Sequence, residues 1–304
     1  MRLVRARIER FAATDFSIVV VGATGTGKEI VARQIHAYSS RRAGPFVEVN
    51  CGAVVETLGE AEFFGIEQGT ASGVRGRTGL FERAHGGSLF LDEFPDLTHA
   101  MQTKLLRVTQ DLRVQRVGGE SLRRIDTRLI VASHYPLREL VARRILREDL
   151  YHRLFGLEIV IPPLAGRGGD ILELADHFLA IHGGGRPWRL TPAVRRALTV
   201  FSWPGNVRQL ERTIQVAITL ATSDEIGIDA LPNELTGQAP VHPVLVPASP
   251  LARRDAAASE AEQMLRECGG NKAKAARRLG ISRPTLYARL RHLAPQTRTN
   301  RRIA

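Results

Sequence analysis

The 304-residue sequence has only two cysteines, Cys51 and Cys268, far apart and without metal-ligand spacing. That excludes a disulfide framework, gives no support to a zinc site and fits a reducing compartment. Long hydrophobic runs are also missing: no apolar stretch approaches the roughly 18 residues of a membrane-spanning helix. The first 15 residues, MRLVRARIERFAATD, lack the apolar core of a signal peptide. These absences make the cytoplasm the expected location and remove a membrane from the expected partners. Acidic residues disappear toward the C-terminus, with none after Glu267.

What is present divides unevenly. The chain is 43% hydrophobic and 24% charged, enough for one sizeable core and one or two smaller ones. Its net charge is +12. From Leu251 onward 13 Lys and Arg stand against 4 Asp and Glu, a net of +9, which leaves +3 for the 250 residues before. Such clustering is the footprint of a protein that binds a phosphate backbone, with a disordered basic tail as the alternative.

Five short apolar runs alternate with helical patterns: Ser17 to Val21, Phe46 to Val49, Ser88 to Leu91, Arg128 to Ala132 and Leu157 to Ile161. Rich in Val, Ile, Leu and Phe, they predict strands buried on both faces of a parallel sheet, hence an α/β domain over 1–165. Residues 166–235 read as a small helical domain without strand signal. The Pro-rich stretch 236–254 reads as a linker, and 255–304 as a last all-α unit.

Gly22-Ala23-Thr24-Gly25-Thr26-Gly27-Lys28 follows the first predicted strand and opens a predicted helix, the context that makes GxxxxGK a phosphate-binding loop. Glycines let backbone N–H groups close on phosphates, the helix N-terminus adds positive charge, and Lys28 reaches the β and γ oxygens of ATP. Glu29 occupies the place of the usual magnesium-binding hydroxyl, so Mg2+ must rely on other groups. The strand Ser88 to Leu91 ends in Asp92 and Glu93 and resembles a Walker B motif. Asp92 is the expected Mg2+ residue and Glu93 the expected base toward the attacking water.

GATGTGKEIVARQIH, GPFVEVNCGA, GGSLFLDE, LREDLYHRL, IPPL and WPGNVRQLE occur in that order. Together, from about Arg7 to Leu235, they resemble the central AAA+ domain of bacterial enhancer-binding proteins, the activators of sigma-54 RNA polymerase. The resemblance implies a P-loop sheet domain with a helical lid, and it makes Glu29 an ordinary member of the ATP site. It implies that Asn50 is the switch partner of Glu93, that Arg147 and Arg153 are arginine fingers reaching the neighbouring subunit's γ-phosphate, and that Arg208 is the lid's sensor arginine. A guanidinium supplied in trans makes hydrolysis conditional on assembly, here of dimers into a ring. Trp203 and Pro204 are expected to start the lid helix, with Asn206 as its N-cap.

Asn271 to Leu293 has the grammar of a helix-turn-helix and resembles the Fis-type unit that ends many such proteins. One helix ends at Leu279, Gly280 turns, Ser282 caps the next helix and Pro284 sits in its first turn. Leu286, Leu290 and Leu293 form its inner face. Arg283, Thr285, Tyr287 and Arg291 are the expected groove-facing residues, beside Ala288, with Lys272, Lys274, Arg277 and Arg278 near phosphates of double-stranded DNA. Upstream, Ala261, Met264, Leu265 and Cys268 form a stripe suited either to a dimer seam or to packing on this unit.

Three features depart from the family pattern. Where the sigma-54 contact loop reads Gly-Ala-Phe-Thr-Gly-Ala, this chain reads Gly69-Thr70-Ala71-Ser72-Gly73-Val74, without the aromatic anchor. His134 replaces the usual sensor Asn, which leaves Ser133 as the expected contact to the γ-phosphate. The segment that helps wrap adenine is expected to be largely missing, as is a regulatory domain. The leading expectation is an ATP-driven activator of sigma-54 RNA polymerase. The alternative is a DNA-binding regulator on the same fold that no longer engages sigma-54 and acts as repressor or with another sigma factor.

Overall fold

Five strands form on the five predicted runs: β1 (Ile18–Val21), β2 (Phe46–Asn50), β3 (Ser88–Asp92), β4 (Arg128–Ser133) and β5 (Leu157–Val160). All are parallel, in the order β2-β3-β4-β1-β5. The chain is seen in a computed structural model that describes residues 1–70, 76–154, 156–236 and 250–291, without the side chains at 56, 57, 250–256, 288 and 291. Every residue of β1 and of β4 is buried, so both faces of the sheet are covered and no polar alternation is possible.

Two helices, α1 (Arg2–Ala12) and α2 (Lys28–Ala37), cover one face. Val4 and Ile8 of α1 and Val31, Ala32 and Ile35 of α2 pack on Ile18, Val20, Phe90, Ile130 and Ile159. Helix α1 lies in the stretch whose sequence was read only for what it lacked. Its Val4, Ile8 and Ala12 are spaced by one helical turn and form a narrow buried stripe among arginines. Arg128, buried at the start of β4, donates to the carbonyls of Phe11 (2.8 Å), Ala12 (3.0 Å) and Phe16 (3.2 Å). Two of these carbonyls, Phe11 and Ala12, belong to the last turn of α1, where helical donors run out.

This domain also contains α3 (Glu56–Phe64), α4 (His99–Asp111), α5 (Leu137–Ala142) and α6 (Glu148–Leu154), besides a single helical turn at Leu80–Arg83 and two small antiparallel ribbons. Thr98 caps α4 by accepting from Met101 N at 3.3 Å. The carboxyl ends of β1, β3 and β4 run into Gly22, Asp92–Glu93 and Ser133–His134, with Val21 paired to Ser133 in register. In an open parallel sheet this edge is where ligands bind.

The helical domain contains α7 (Gly168–His182), α8 (Pro192–Val200) and α9 (Asn206–Leu220) around Phe178, Leu198, Trp203, Leu210 and Ile214. The Trp203 indole N–H donates to Leu198 O at 2.8 Å, so the largest side chain of this core leaves no unpaired donor. Thr191 caps α8, with Pro192 at its first position. One feature was not foreseen: Arg189–Leu190 and Glu225–Ile226 pair as a parallel ribbon. Two residues per strand are too few to leave a periodic signal.

The chain divides into two compact units, Met1–Pro243 and Val244–Ala304. In the second, α10 (Pro250–Glu267), α11 (Lys272–Arg278) and α12 (Arg283–Arg291) close on Ala261, Cys268, Ala275, Ala276 and Leu286. The helix begins at Pro250, five residues inside the expected linker, whose centre lies outside the described residues. Met264 and Leu265 pack on the same core. This packing is one of the two uses open to the upstream stripe. Among the described residues no helix is long and apolar enough to cross a membrane.

Candidate functional site

The phosphate loop joins β1 to α2. Gly25 and Gly27 hold positive φ of 76° and 97°. A Cβ on Gly25 would run into the Gly205 carbonyl, and Gly27 is the left-handed residue from which α2 starts. Thr26 Oγ1 turns inward and donates to Ala23 O at 2.8 Å. Lys28 is buried, and its Nζ donates to Gly22 O at 3.0 Å, to His134 Nδ1 at 3.1 Å and to Ala23 O at 3.5 Å. Burial pushes its pKa down, Asp92 and Glu93 oppose that, and Arg208 adds to it. These four residues therefore share one electrostatic site. Glu29 does not join it through its side chain: the carboxylate pairs with Arg33 at 2.9 Å, and Arg33 also holds Glu48. Only its backbone N–H, in the first turn of α2, is left for the cradle.

At the end of β3, Asp92 Oδ1 accepts from Glu93 N at 2.9 Å. Glu93 sits at φ 51° and ψ 42°, a left-handed conformation unusual for a residue with a side chain and a form of strain that clusters at functional sites. Gly52 leaves room for it, since a Cβ there would lie 2.7 Å from both Glu93 Oε2 and Asp96 Oδ2. Asn50, the expected switch partner of Glu93, spends its side-chain oxygen elsewhere: Oδ1 accepts from Gly52 N (2.8 Å) and Ala53 N (3.2 Å) and caps a short turn. Glu93 pairs instead with His134, Nε2 to Oε1 at 3.5 Å.

The expectation for Ser133 also changes. Its hydroxyl donates to Tyr135 O at 2.6 Å and accepts from Tyr135 N at 3.1 Å, closing the turn after β4 while fully buried. His134, one residue on, is the side chain that meets the cradle. Burial pushes its pKa down, Lys28 acts in the same direction and Glu93 opposes both. Cys51 lies near the carboxylates, and burial followed by Asp92, Asp96 and Glu93 holds its thiol well above the ordinary range, which disfavours the thiolate.

The helical domain grips the loop directly. Asn206 Nδ2 donates to Thr24 O (2.9 Å), Val207 N and Arg208 N donate to Gly25 O (2.9 and 3.3 Å), and Arg167 Nη2 donates to Thr26 O (3.1 Å). Three successive carbonyls of the loop are thus held from the lid. Asn206 is not the N-cap that its position suggests, which is Gly205. It is buried at φ 52°, and its Oδ1 accepts from Leu164 N at 2.8 Å, a conformation Asn tolerates better than most residues.

Neither expected finger touches this loop in the described contacts. Arg147 forms a bidentate pair with Asp149 at 3.0 and 2.7 Å, and its N–H donates to Gln102, which is buried and anchors the start of α6. Arg153 Nε donates to Thr109 O at the end of α4, at 3.1 Å.

In the second unit the predicted cap is in place: Ser282 Oγ accepts from Thr285 N (3.2 Å), and Gly280 turns at φ 65°. Asn271 Oδ1, which the sequence reading did not name as a cap, accepts from Lys274 N (3.1 Å). Leu286 is buried, while Arg277, Arg278, Arg283, Thr285 and Tyr287 are exposed. Lys272 Nζ stands 5.0 Å over the Tyr287 ring, so two of the expected DNA contacts share one patch. The Arg291 and Ala288 side chains and Leu293 lie outside the described residues, as do residues 71–74 of the surface loop.

The sigma-54 interaction domain family matches residues 1–160, more than half of the chain. This chain belongs to that family. Residues 165–245 match the AAA+ ATPase lid domain, and 262–293 the Fis family of bacterial regulatory proteins. The nitric oxide reductase transcription regulator NorR2 of Cupriavidus necator is 40% identical over 312 residues, covering 94% of this chain and 60% of its own length. The transcriptional regulatory protein ZraR of Klebsiella oxytoca is 41% identical over 304 residues, covering 95% and 66%. The chain thus spans about two thirds or less of these curated relatives. The crystal structure of NtrX from Brucella abortus in complex with ATP superposes with a TM-score of 0.71 at 35% identity, over 97% of this chain and 67% of that one.

Sequence reasoning overlooked Gly52 in the sigma-54 interaction domain, and Arg167 and the loop-holding role of Asn206 in the lid. None has a local signature. Each is defined by a partner far along the chain, as Asn206 is by Thr24.

Proposed function

We propose that this chain is an ATP-hydrolysing, DNA-binding regulator that assembles with copies of itself and remodels RNA polymerase carrying sigma-54. The observation that carries this reading is the convergence on the phosphate loop of Lys28, of Asp92 and Glu93 through His134, and of Arg208 through its N–H on Gly25 O, in a member of the sigma-54 interaction domain family. NtrX, a structural relative, was crystallised with ATP.

In the proposed reaction the backbone of Gly22 to Lys28 cradles the phosphates, and Arg208 leans on them from the lid. Asp92 is the carboxylate that would hold Mg2+, a hard ion that takes one or two carboxylates and completes its shell with phosphate and water oxygens. When bound, the ion neutralises phosphate charge. Glu93 orients the attacking water and draws its proton. Arg147 and Arg153 act on the neighbouring subunit's nucleotide, which fits their lack of contact with the loop of their own chain. Asn50 remains a candidate switch, through its place beside Gly52. On DNA, Arg283, Thr285, Tyr287 and Arg291 read the groove while Lys272, Lys274 and Arg277 meet phosphates.

The deciding experiment is open-complex formation by purified sigma-54 polymerase with this protein and ATP. Opening supports the reading. A second reading is favoured by Gly69 to Val74, which lacks the aromatic anchor: a regulator on the same fold that no longer engages sigma-54. No opening by the parent, with opening gained by Ala71→Phe, would select it.

A further inference from the structure

Among the described residues, His134 is the one side chain that reaches both Lys28 and Glu93. Its Nδ1 is 3.1 Å from Lys28 Nζ, and its Nε2 is 3.5 Å from Glu93 Oε1. An ammonium carries protons and no lone pair, so Nδ1 must be the unprotonated nitrogen and accept. Nε2 then carries the ring proton, the form in which it donates to a carboxylate. A single neutral tautomer satisfies both contacts.

The remaining donors of Lys28 are directed at Gly22 O and Ala23 O. All three of its protons are therefore engaged, and a phosphate must displace at least one acceptor. Two of these acceptors are carbonyls of the loop backbone itself. The third is the imidazole, the only acceptor that can yield by a side-chain movement. Side-chain exposures of 16% for His134 and 24% for Glu93 shield the bridge from water, where hydrogen bonds hold geometry better.

Building on the ATPase reading above, we propose that His134 is a positioning residue that couples the two halves. It yields Lys28 at Nδ1 when phosphate arrives and holds Glu93 through Nε2, so one ring links phosphate occupancy to the orientation of the base. Ser133, locked on Tyr135, is not available for this.

The first test uses the full chain with 15N-labelled histidine, the His134 signals being assigned by their loss in His134→Asn. The ring is expected as the neutral Nε2–H tautomer. ATPγS binding, and separately Lys28→Met, should shift the Nδ1 resonance, and Glu93→Gln should shift Nε2. Ring signals that none of these changes moves would overturn the bridge. This arm needs no turnover, so a parent that hydrolyses no ATP would sink the ATPase reading while leaving the bridge decided by the spectra.

The second test is kinetic. His134→Ala should lower kcat about tenfold or more while the Kd for ATPγS stays within about threefold. Added imidazole should restore part of kcat, and His134→Gln, which offers both an acceptor and a donor, should keep more turnover than the alanine variant. A kcat within about twofold of the parent, or parallel losses of kcat and affinity without imidazole rescue, would overturn the positioning role.

Discussion

In the second unit the caps fall where neighbouring residues put them, Asn271 receiving Lys274 N–H and Ser282 receiving that of Thr285. Around the phosphate loop of the first unit, side chains found partners far away in sequence: Asn206 on Thr24, Arg167 on Thr26, His134 on Lys28. A cap is satisfied within three residues, so its residue types predict its geometry. A loop at the edge of a parallel sheet is surrounded by segments from the whole domain, and its contacts are decided by packing. Geometry at the C-terminal end is therefore set locally, and geometry at the phosphate loop is set by the packed domain.

Four measurements can break or sharpen that contrast. The largest effect is expected from Arg153→Ala, which should lower ATP turnover by about 10³-fold or more if the finger acts in trans. Mixing it with Lys28→Ala subunits should restore part of the activity, and no recovery at any ratio of assembled protein would place Arg153 outside the chemistry. Next comes Glu93→Gln, expected to cost about 10²- to 10⁴-fold in kcat while ATP binding persists; turnover equal to the parent would remove Glu93 as base.

Trp203→Ala should destabilise the first unit by about 3–5 kcal/mol, because a fully buried indole and its bond to Leu198 are lost together. Denaturant unfolding reads this directly, and a loss below about 1 kcal/mol would mean the lid core collapses around the gap. The smallest effect belongs to Ser282→Ala, about 1 kcal/mol on the second unit. ATP turnover at saturating nucleotide should not change. Loss of turnover in that variant would show that the cap is not a local matter and would break the contrast.

Much of the fold was legible. Segments such as Ile18–Val21 and Arg128–Ser133 announce themselves because a strand buried on both faces has no polar positions. Helix α1 was not, since its buried stripe of Val4, Ile8 and Ala12 is one residue wide among arginines, and the Arg128 bonds that fix its end cross more than 110 residues. At the site, Lys28, Asp92, Glu93 and Arg208 were readable from motif order, and they do share one place. The partners of Glu93 and the hydroxyl of Ser133 were not. Two adjacent residues at the end of a strand point in different directions, and the turn at Tyr135 determines which one meets the loop.

The sequence by itself determined the parallel sheet, the phosphate loop, the family and the capped helices of the C-terminal unit. All rest on local periodicity or on motifs a few residues long, whose backbone geometry follows from the residues within them. Only the tertiary structure decided that His134 bridges Lys28 and Glu93, that Glu29 turns to Arg33 and that Asn206 fastens the lid to the loop. A side chain able to donate and accept has several feasible partners, and the choice among them is made by which distant backbone the packed core brings within about 3 Å.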